Sequence, residues 1–216
     1  MIEAVVFDMD GVLVDTEHLW DEEREQLARD WGGAYTAESQ RAMMGMSSPE
    51  WSRYLHEEVG LPGPPEAINA EVVRRMLARY ETDLPVIPGA VEAVRDLAAT
   101  GRRLAVASSS NRPLIDAVLE RLEVADAFAA TVSSEEVERG KPSPDVYLEA
   151  ARRLGVGTAA CAAVEDSSNG LRAASAAGMR VVAYPNRRFP PDDDALALAA
   201  RVVDALGELR GAVEEL

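Results

Sequence analysis

Ala4-Val5-Val6-Phe7-Asp8-Met9-Asp10-Gly11-Val12-Leu13-Val14-Asp15 is the stretch whose reading decides the fold of this 216-residue chain. Val5, Val6 and Phe7 are consecutive β-branched or aromatic residues, as in a strand buried on both faces of a parallel sheet. The run breaks into two carboxylates and a glycine, so Asp8 and Asp10 stand at a strand's carboxyl end, where open α/β sheets bind ligands. Side chains at i and i+2 of an extended backbone can project to one side, and Gly11 lets the chain turn sharply behind them. Alone, the stretch also reads as a polar turn closing a core strand.

Outward from this strand the pattern divides in two. Residues 16–31, 36–43, 48–59 and 65–83 carry apolar residues at helical spacing with no convincing strand between them. They predict a compact helical insertion ending at Leu84-Pro85-Val86-Ile87-Pro88-Gly89, whose prolines suit a stiff hinge. Thr16 is placed to cap the first helix, and Pro49 falls at a first helical position. From Ala90 onward helices alternate with strands at 103–107, 129–132, 160–164 and 180–183, followed by a terminal helix from about Val203. With the opening strand this predicts an α/β fold with a doubly wound, parallel, five-stranded Rossmann-like sheet. The expected domains are residues 1–14 and 85–216 for the catalytic core and 15–84 for the insertion.

Composition limits the function. The formal charge of -16 disfavours nucleic acid and anionic membranes as partners, since both would be repelled. No apolar run approaches the roughly 18 residues of a membrane span, and the opening lacks a basic leader, so a cytoplasmic location is expected. The single cysteine, Cys161, excludes an internal disulfide and reads as a small core residue. The chain has twenty-one arginines and one lysine, Lys141. Where a generic cation serves, arginine is used, so Lys141 marks a place that needs a compact ammonium.

Three clusters fall where a doubly wound sheet gathers its loops. Ser108-Ser109-Ser110-Asn111 follows a strand and precedes a helix, which suits an anion site but reads equally well as an N-cap cluster. Glu138-Arg139-Gly140-Lys141-Pro142 mounts the lysine between a glycine and a proline. Glu165-Asp166-Ser167-Ser168-Asn169-Gly170 follows the fourth strand with two more acids. Asp8, Asp10, Glu165 and Asp166 form an acidic focus suited to a hard, oxygen-preferring ion such as Mg2+. His18, His56 and Cys161 are too scattered for a zinc cage. No Gly-x-x-x-x-Gly-Lys loop, dinucleotide fingerprint or Gly-x-Ser-x-Gly elbow is present.

Asp8-Met9-Asp10-Gly11, Ser108, Lys141-Pro142 and Glu165-Asp166-Ser167 resemble, in order and context, the four motifs of the haloacid dehalogenase-like hydrolase superfamily. The branch most resembled holds β-phosphoglucomutase and the sugar-phosphate phosphatases, including hexitol and 2-deoxyglucose-6-phosphate phosphatases. The resemblance implies a helical cap domain over residues 15–84 and an Mg2+-dependent phosphatase acting on small phosphorylated metabolites such as sugar phosphates. It implies Asp8 as the nucleophile forming an aspartyl-phosphate, Asp10 as general acid and base, Ser108 on phosphoryl oxygens and Lys141 as counter-charge. Asp8, Asp166 and the carbonyl of Asp10 would hold the metal, with Glu165, Ser167 and Asn169 behind them.

Ser109, Asn111, Glu17, Trp20 and Met44 are the candidate substrate contacts, with Met46 and Trp51 as further candidates on the insertion. A monomer is expected. A dehalogenase would lack Asp10, and a phosphonate-cleaving relative would need a lysine in the insertion. A β-phosphoglucomutase-type isomerase carries a cap lysine before a glycine where this chain has Met44-Gly45. A catalytically silent binding protein would have lost at least one of Asp8, Asp10, Lys141 or Asp166.

Overall fold

The computed structural model describes residues 1–43 and 46–216. Strand β1 (Ala4–Phe7) lies between β2 (Arg103–Ser108) and β4 (Cys161–Glu165); β3 (Phe128–Ser133) extends one side, and β5 (Arg180–Ala183) then β6 (Arg201–Val202) the other. All the pairings are parallel. Ala4, Val5, Val6 and Phe7 are fully buried, as a continuous apolar run at the centre of such a sheet requires. Phe7 registers with Val106 on one side and Val164 on the other, which brings Asp8, Ser108 and Glu165 to the carboxyl edge together.

The sheet has six strands, not the five expected. The sixth is a two-residue exposed edge, too short to leave a periodic signal. It is fixed by the bonds on either side: the Ala200 N–H donates to Val181 O at 2.8 Å and the Val203 N–H to Ala183 O at 2.9 Å. Val203 therefore follows an edge strand instead of opening the terminal helix, and α10 starts later, at Leu209–Glu214.

Alternation along the strands separates two cores. Val5, Phe7, Leu104, Val106 and Val164 pack against α5 (Ala90–Ala99), α6 (Arg112–Arg121) and α10. Ala4, Val6, Ala105, Ala107 and Ala163 pack against α7 (Asp145–Leu154) and α8 (Ser168–Ala176). The second face is alanine-rich, which lets its helices approach closely. Cys161 is buried on that face, and burial pushes its thiol up to about 11, which keeps it protonated at neutral pH. A short helix α9 (Asp193–Leu196) precedes β6.

Among the described residues four helices are inserted between β1 and α5: α1 (Glu17–Trp31), α2 (Ala37–Met43), α3 (Ser48–Glu57) and α4 (Pro65–Thr82). Ser47 and Glu50 form a reciprocal capping box at the start of α3, with Pro49 in its first turn. Leu19, Leu27, Trp51, Leu55, Ile68, Val72 and Met76 form their shared interior. The two connections to the sheet run antiparallel, with the Asp15 N–H donating to Pro85 O at 2.8 Å and the Ile87 N–H to Leu13 O at 3.0 Å. No helix among the described residues is long and apolar enough to cross a membrane.

Candidate active site

Asp8 leaves the end of β1 with its backbone N–H on Val164 O at 3.0 Å, so the sheet itself fixes its position. Its Oδ1 accepts from the Met9 N–H at 2.8 Å and from Lys141 Nζ at 2.9 Å. Oδ2 accepts no hydrogen bond among the described residues, and Asp8 lines a cavity of about 620 Å³. Burial pushes the Asp8 carboxyl well above its ordinary value, reinforced by Glu165 and opposed by Lys141.

Lys141 is buried and also donates to Glu165 Oε1 at 2.6 Å, with its Nζ 5.2 Å from the centroid of the Tyr147 ring. Burial works against its charge, but the Asp8 and Glu165 carboxylates outweigh that and hold its pKa above the ordinary value. Glu165 is fully buried, and both its oxygens are engaged. Oε1 takes Lys141 and the Tyr147 hydroxyl; Oε2 takes the Asp166 N–H at 3.1 Å and the Ser167 hydroxyl at 3.4 Å. Glu165 thus aims Lys141 at Asp8.

Asp166 packs against Gly11, whose φ of 84° favours glycine and whose missing Cβ would fall 1.9 Å from Asp166 Oδ2. Burial and the neighbouring Asp8 and Glu165 raise the Asp166 pKa well above normal, while the Asn186 amide, donating to Oδ2 at 3.2 Å, works the other way. Asp8, Glu165 and Asp166 offer oxygens within 4.8 Å of one another. Only Asp8 and Asp166 keep an oxygen that accepts no hydrogen bond among the described residues. Two buried, repelling carboxylates with free oxygens and no nitrogen or sulfur donor fit a hard divalent cation of the magnesium type.

Asp10 is held differently. Its Oδ1 accepts from the Thr16 hydroxyl, and its Oδ2 from Ser110 Oγ at 2.7 Å and Ser108 Oγ at 3.4 Å. Thr16 sits at the N-cap position of α1 but makes no side-chain cap bond, because its hydroxyl is turned to Asp10 instead. Ser109 and Ser110 line the cavity, whereas Ser108 is fully buried beneath it.

Glu17, Trp20, Met46 and Trp51 line the same cavity from the helical insertion, as do Ser167 and Asn169 from α8 and the turn before it. Met44 lies outside the described residues. Asn111 does not line the cavity; it is spent on the junction between insertion and sheet. Its amide nitrogen donates to Glu135 Oε1 at 2.5 Å and Asn69 Oδ1 at 3.2 Å, and its Oδ1 accepts from Ser48 Oγ at 2.9 Å. Tyr147, Asn186 and Arg24 were not singled out from sequence. Asn186 follows β5 at the carboxyl edge, a position that could have flagged it.

The family model described as "haloacid dehalogenase-like hydrolase" matches residues 2–178. Protein CbbY of Rhodobacter capsulatus is 32% identical over 227 residues, covering 100% of this chain and 99% of the relative. Hexitol phosphatase B of Escherichia coli is 33% identical over 189 residues, covering 85% and 84%. The crystal structure of CbbY from Rhodobacter sphaeroides in complex with phosphate superposes with a TM-score of 0.89 at 30% identity, covering 100% of both chains. A structure of the same protein in complex with xylulose-(1,5)bisphosphate gives 0.85 at 29% identity, covering 97% and 96%. With most of its length matched and its carboxyl-edge carboxylates and lysine gathered at one cavity, this chain belongs to the haloacid dehalogenase-like hydrolase family, in its sugar-phosphate phosphatase branch.

Proposed function

We propose that this enzyme is an Mg2+-dependent phosphatase that hydrolyses small phosphorylated sugars through an aspartyl-phosphate on Asp8, with the helical insertion acting as a cap. The observation that carries the reading is the state of Asp8. One oxygen is tied to Lys141 and the Met9 N–H, the other accepts no hydrogen bond among the described residues, Asp8 lines the cavity, and its backbone is anchored in the sheet. That is the arrangement of a nucleophile with a fixed line of attack. The name hexitol phosphatase B and the complex of CbbY with xylulose-(1,5)bisphosphate agree with a phosphorylated-sugar substrate.

In the first step Asp8 Oδ2 bonds to phosphorus as the ester oxygen leaves, and Asp10 gives that oxygen its proton. In the second, Asp10 takes a proton from a water that attacks the same phosphorus, and the Asp8 carboxylate is released. The Thr16 and Ser110 hydroxyls orient Asp10 for both transfers. Lys141 offsets the charge collecting on the phosphoryl oxygens, and Ser109, which lines the cavity, is placed to hold them, while the Ser108 and Ser110 hydroxyls are engaged with Asp10. Asp8, Asp166 and the backbone carbonyl of Asp10 would hold Mg2+, which supplies positive charge that polarises the phosphoryl group.

Hydrolysis is favoured over a mutase because the mutases of this branch carry a cap lysine before a glycine, and the only lysine of this chain, Lys141, lies outside the insertion. Phosphate release from a panel of sugar phosphates in the presence of Mg2+ tests the reading. Free phosphate as the main product supports hydrolysis. Glucose 6-phosphate forming from β-glucose 1-phosphate and a trace of glucose 1,6-bisphosphate, much faster than free phosphate, contradicts it.

A further inference from the structure

One buried charge at the cavity has no part in the chemistry at Asp8. Arg24, on α1, is 9% exposed and lines the same cavity as Asp8 and Lys141. Its guanidinium carbon lies 4.9 Å from the ring centroid of Trp20 and 4.8 Å from that of Trp51. Its Nε is buried without a hydrogen-bond partner, and Arg24 makes no ion pair with Glu17 or any other carboxylate among the described residues. The other buried side-chain atom so placed, Tyr80 Oη, belongs to a residue that does not line the cavity. By contrast Arg75, 16% exposed, is tied to both Asp30 and Glu71.

A buried guanidinium with no ion-pair partner among the described residues and an unbonded Nε is unfavourable, so a partner from outside the chain is the simplest way to satisfy it. The two indoles favour the cation and fix its place, which leaves the N–H edge to engage a ligand. That edge is a planar fork matched to carboxylate and phosphate oxygens. A sugar hydroxyl could accept from it but would not neutralise its charge. Arg41, on α2, adds a second guanidinium to the cavity lining.

We propose that Arg24 is a specificity-determining residue that receives a second oxyanion, a carboxylate or a phosphate, on the part of the substrate remote from the phosphoryl group at Asp8. The proposal rests on the phosphatase reading for which end of the ligand meets Asp8. It narrows the substrate class to esters that carry two anionic groups.

Matched pairs of esters test it: glucose 6-phosphate against 6-phosphogluconate, glycerol 1-phosphate against 3-phosphoglycerate, and ribulose 5-phosphate against ribulose 1,5-bisphosphate. In at least one pair the wild-type kcat/KM should favour the doubly anionic member by about 100-fold, the size expected when a buried charge gains or loses its partner. Arg24→Met should collapse that ratio to near unity, with the change mostly in KM, while Arg24→Lys keeps part of it. Arg24→Gln, closer in volume and still polar, serves if the methionine variant fails to fold.

The same ligands titrated calorimetrically into Asp8→Asn, with and without the Arg24 substitution, give the ratio as binding constants. If the wild type releases phosphate from no ester, the phosphatase reading fails while the calorimetric ratio still decides the role of Arg24. Which pair responds tells a carboxylate from a phosphate. A wild-type ratio near unity in all three pairs, or a ratio that survives both Arg24→Met and Arg24→Gln, overturns the proposal.

Discussion

Gly170 packs directly against the carboxylate of Glu165: a Cβ at position 170 would fall 1.9 Å from Glu165 Oε2. Glu165 cannot yield, because four donors hold its two oxygens, one of them the ammonium of Lys141. Gly170→Ala should therefore cost about 3 kcal/mol, at the upper end for an overpacked interior. The melting temperature should fall by roughly 10 °C for a chain of this size. Turnover should drop as well, since displacing Glu165 displaces Lys141. Gly211→Ala, on the exposed face of α10 with nothing within 4 Å of its added Cβ, is the control; it should be neutral or stabilising by up to about 1 kcal/mol. Thermal melts of both variants check this.

Lys141→Arg keeps the charge but must fit a planar guanidinium into a site 6% exposed, between Asp8, Glu165 and the Tyr147 ring. The phosphate-release rate should fall by at least about 100-fold, the scale of losing one preorganised electrostatic contact. Lys141→Met leaves Asp8 and Glu165 buried without their cation and should in addition destabilise the fold by about 3–5 kcal/mol. Full activity in the arginine variant would show that the ammonium's compactness is irrelevant.

Much of this site could be read from the chain, because parallel sheets deliver their loops to one edge. A strand that ends in Asp8-Met9-Asp10 and another that ends in Glu165-Asp166 must then meet. What could not be read depends on side-chain direction. Asn111 sits in the expected serine-rich turn, yet its amide points to Ser48, Asn69 and Glu135 instead of the cavity. Arg24 follows Trp20 by four residues on α1 and so shares its face, but its lack of a partner is a property of three dimensions. The edge pair Arg201–Val202 is too short to show a period.

Asn111 joins Ser48 and Asn69 of the helical insertion to the sheet domain, so it should favour the closed position of the insertion. Asn111→Ala removes those bonds and strands the Ser48 and Asn69 groups, a loss of about 1–3 kcal/mol for buried partners. The expected outcome is a rise in KM of at least about 10-fold with kcat affected less, together with faster proteolysis between residues 84 and 89. An unchanged KM and cleavage rate would place the hinge energy elsewhere.

Glu136 accepts from Arg112 and Arg153, tying α6, α7 and the end of β3 together. Burial works to raise its pKa, but the two guanidinium groups and the Ser133 N–H outweigh that and hold the carboxyl below its ordinary value. A depressed folded-state pKa means that the stabilisation is present above the ordinary carboxylate range and is lost as pH falls through the folded-state value. Glu136→Gln should thus cost about 1 kcal/mol near neutral pH, and the gap to wild type should close on acidification. Denaturant midpoints taken between pH 7 and pH 3 report it.

The central claim is that phosphoryl transfer passes through Asp8. Enzyme mixed with Mg2+ and a sugar phosphate labelled in its phosphoryl group, quenched in acid during the first turnover and mapped by peptide mass, answers it. The account predicts label on the peptide containing Asp8, none when Mg2+ is chelated before mixing, and none in Asp8→Asn. Labelled free phosphate appearing during that turnover in Asp8→Asn, or label on any other residue of the wild type, would contradict it.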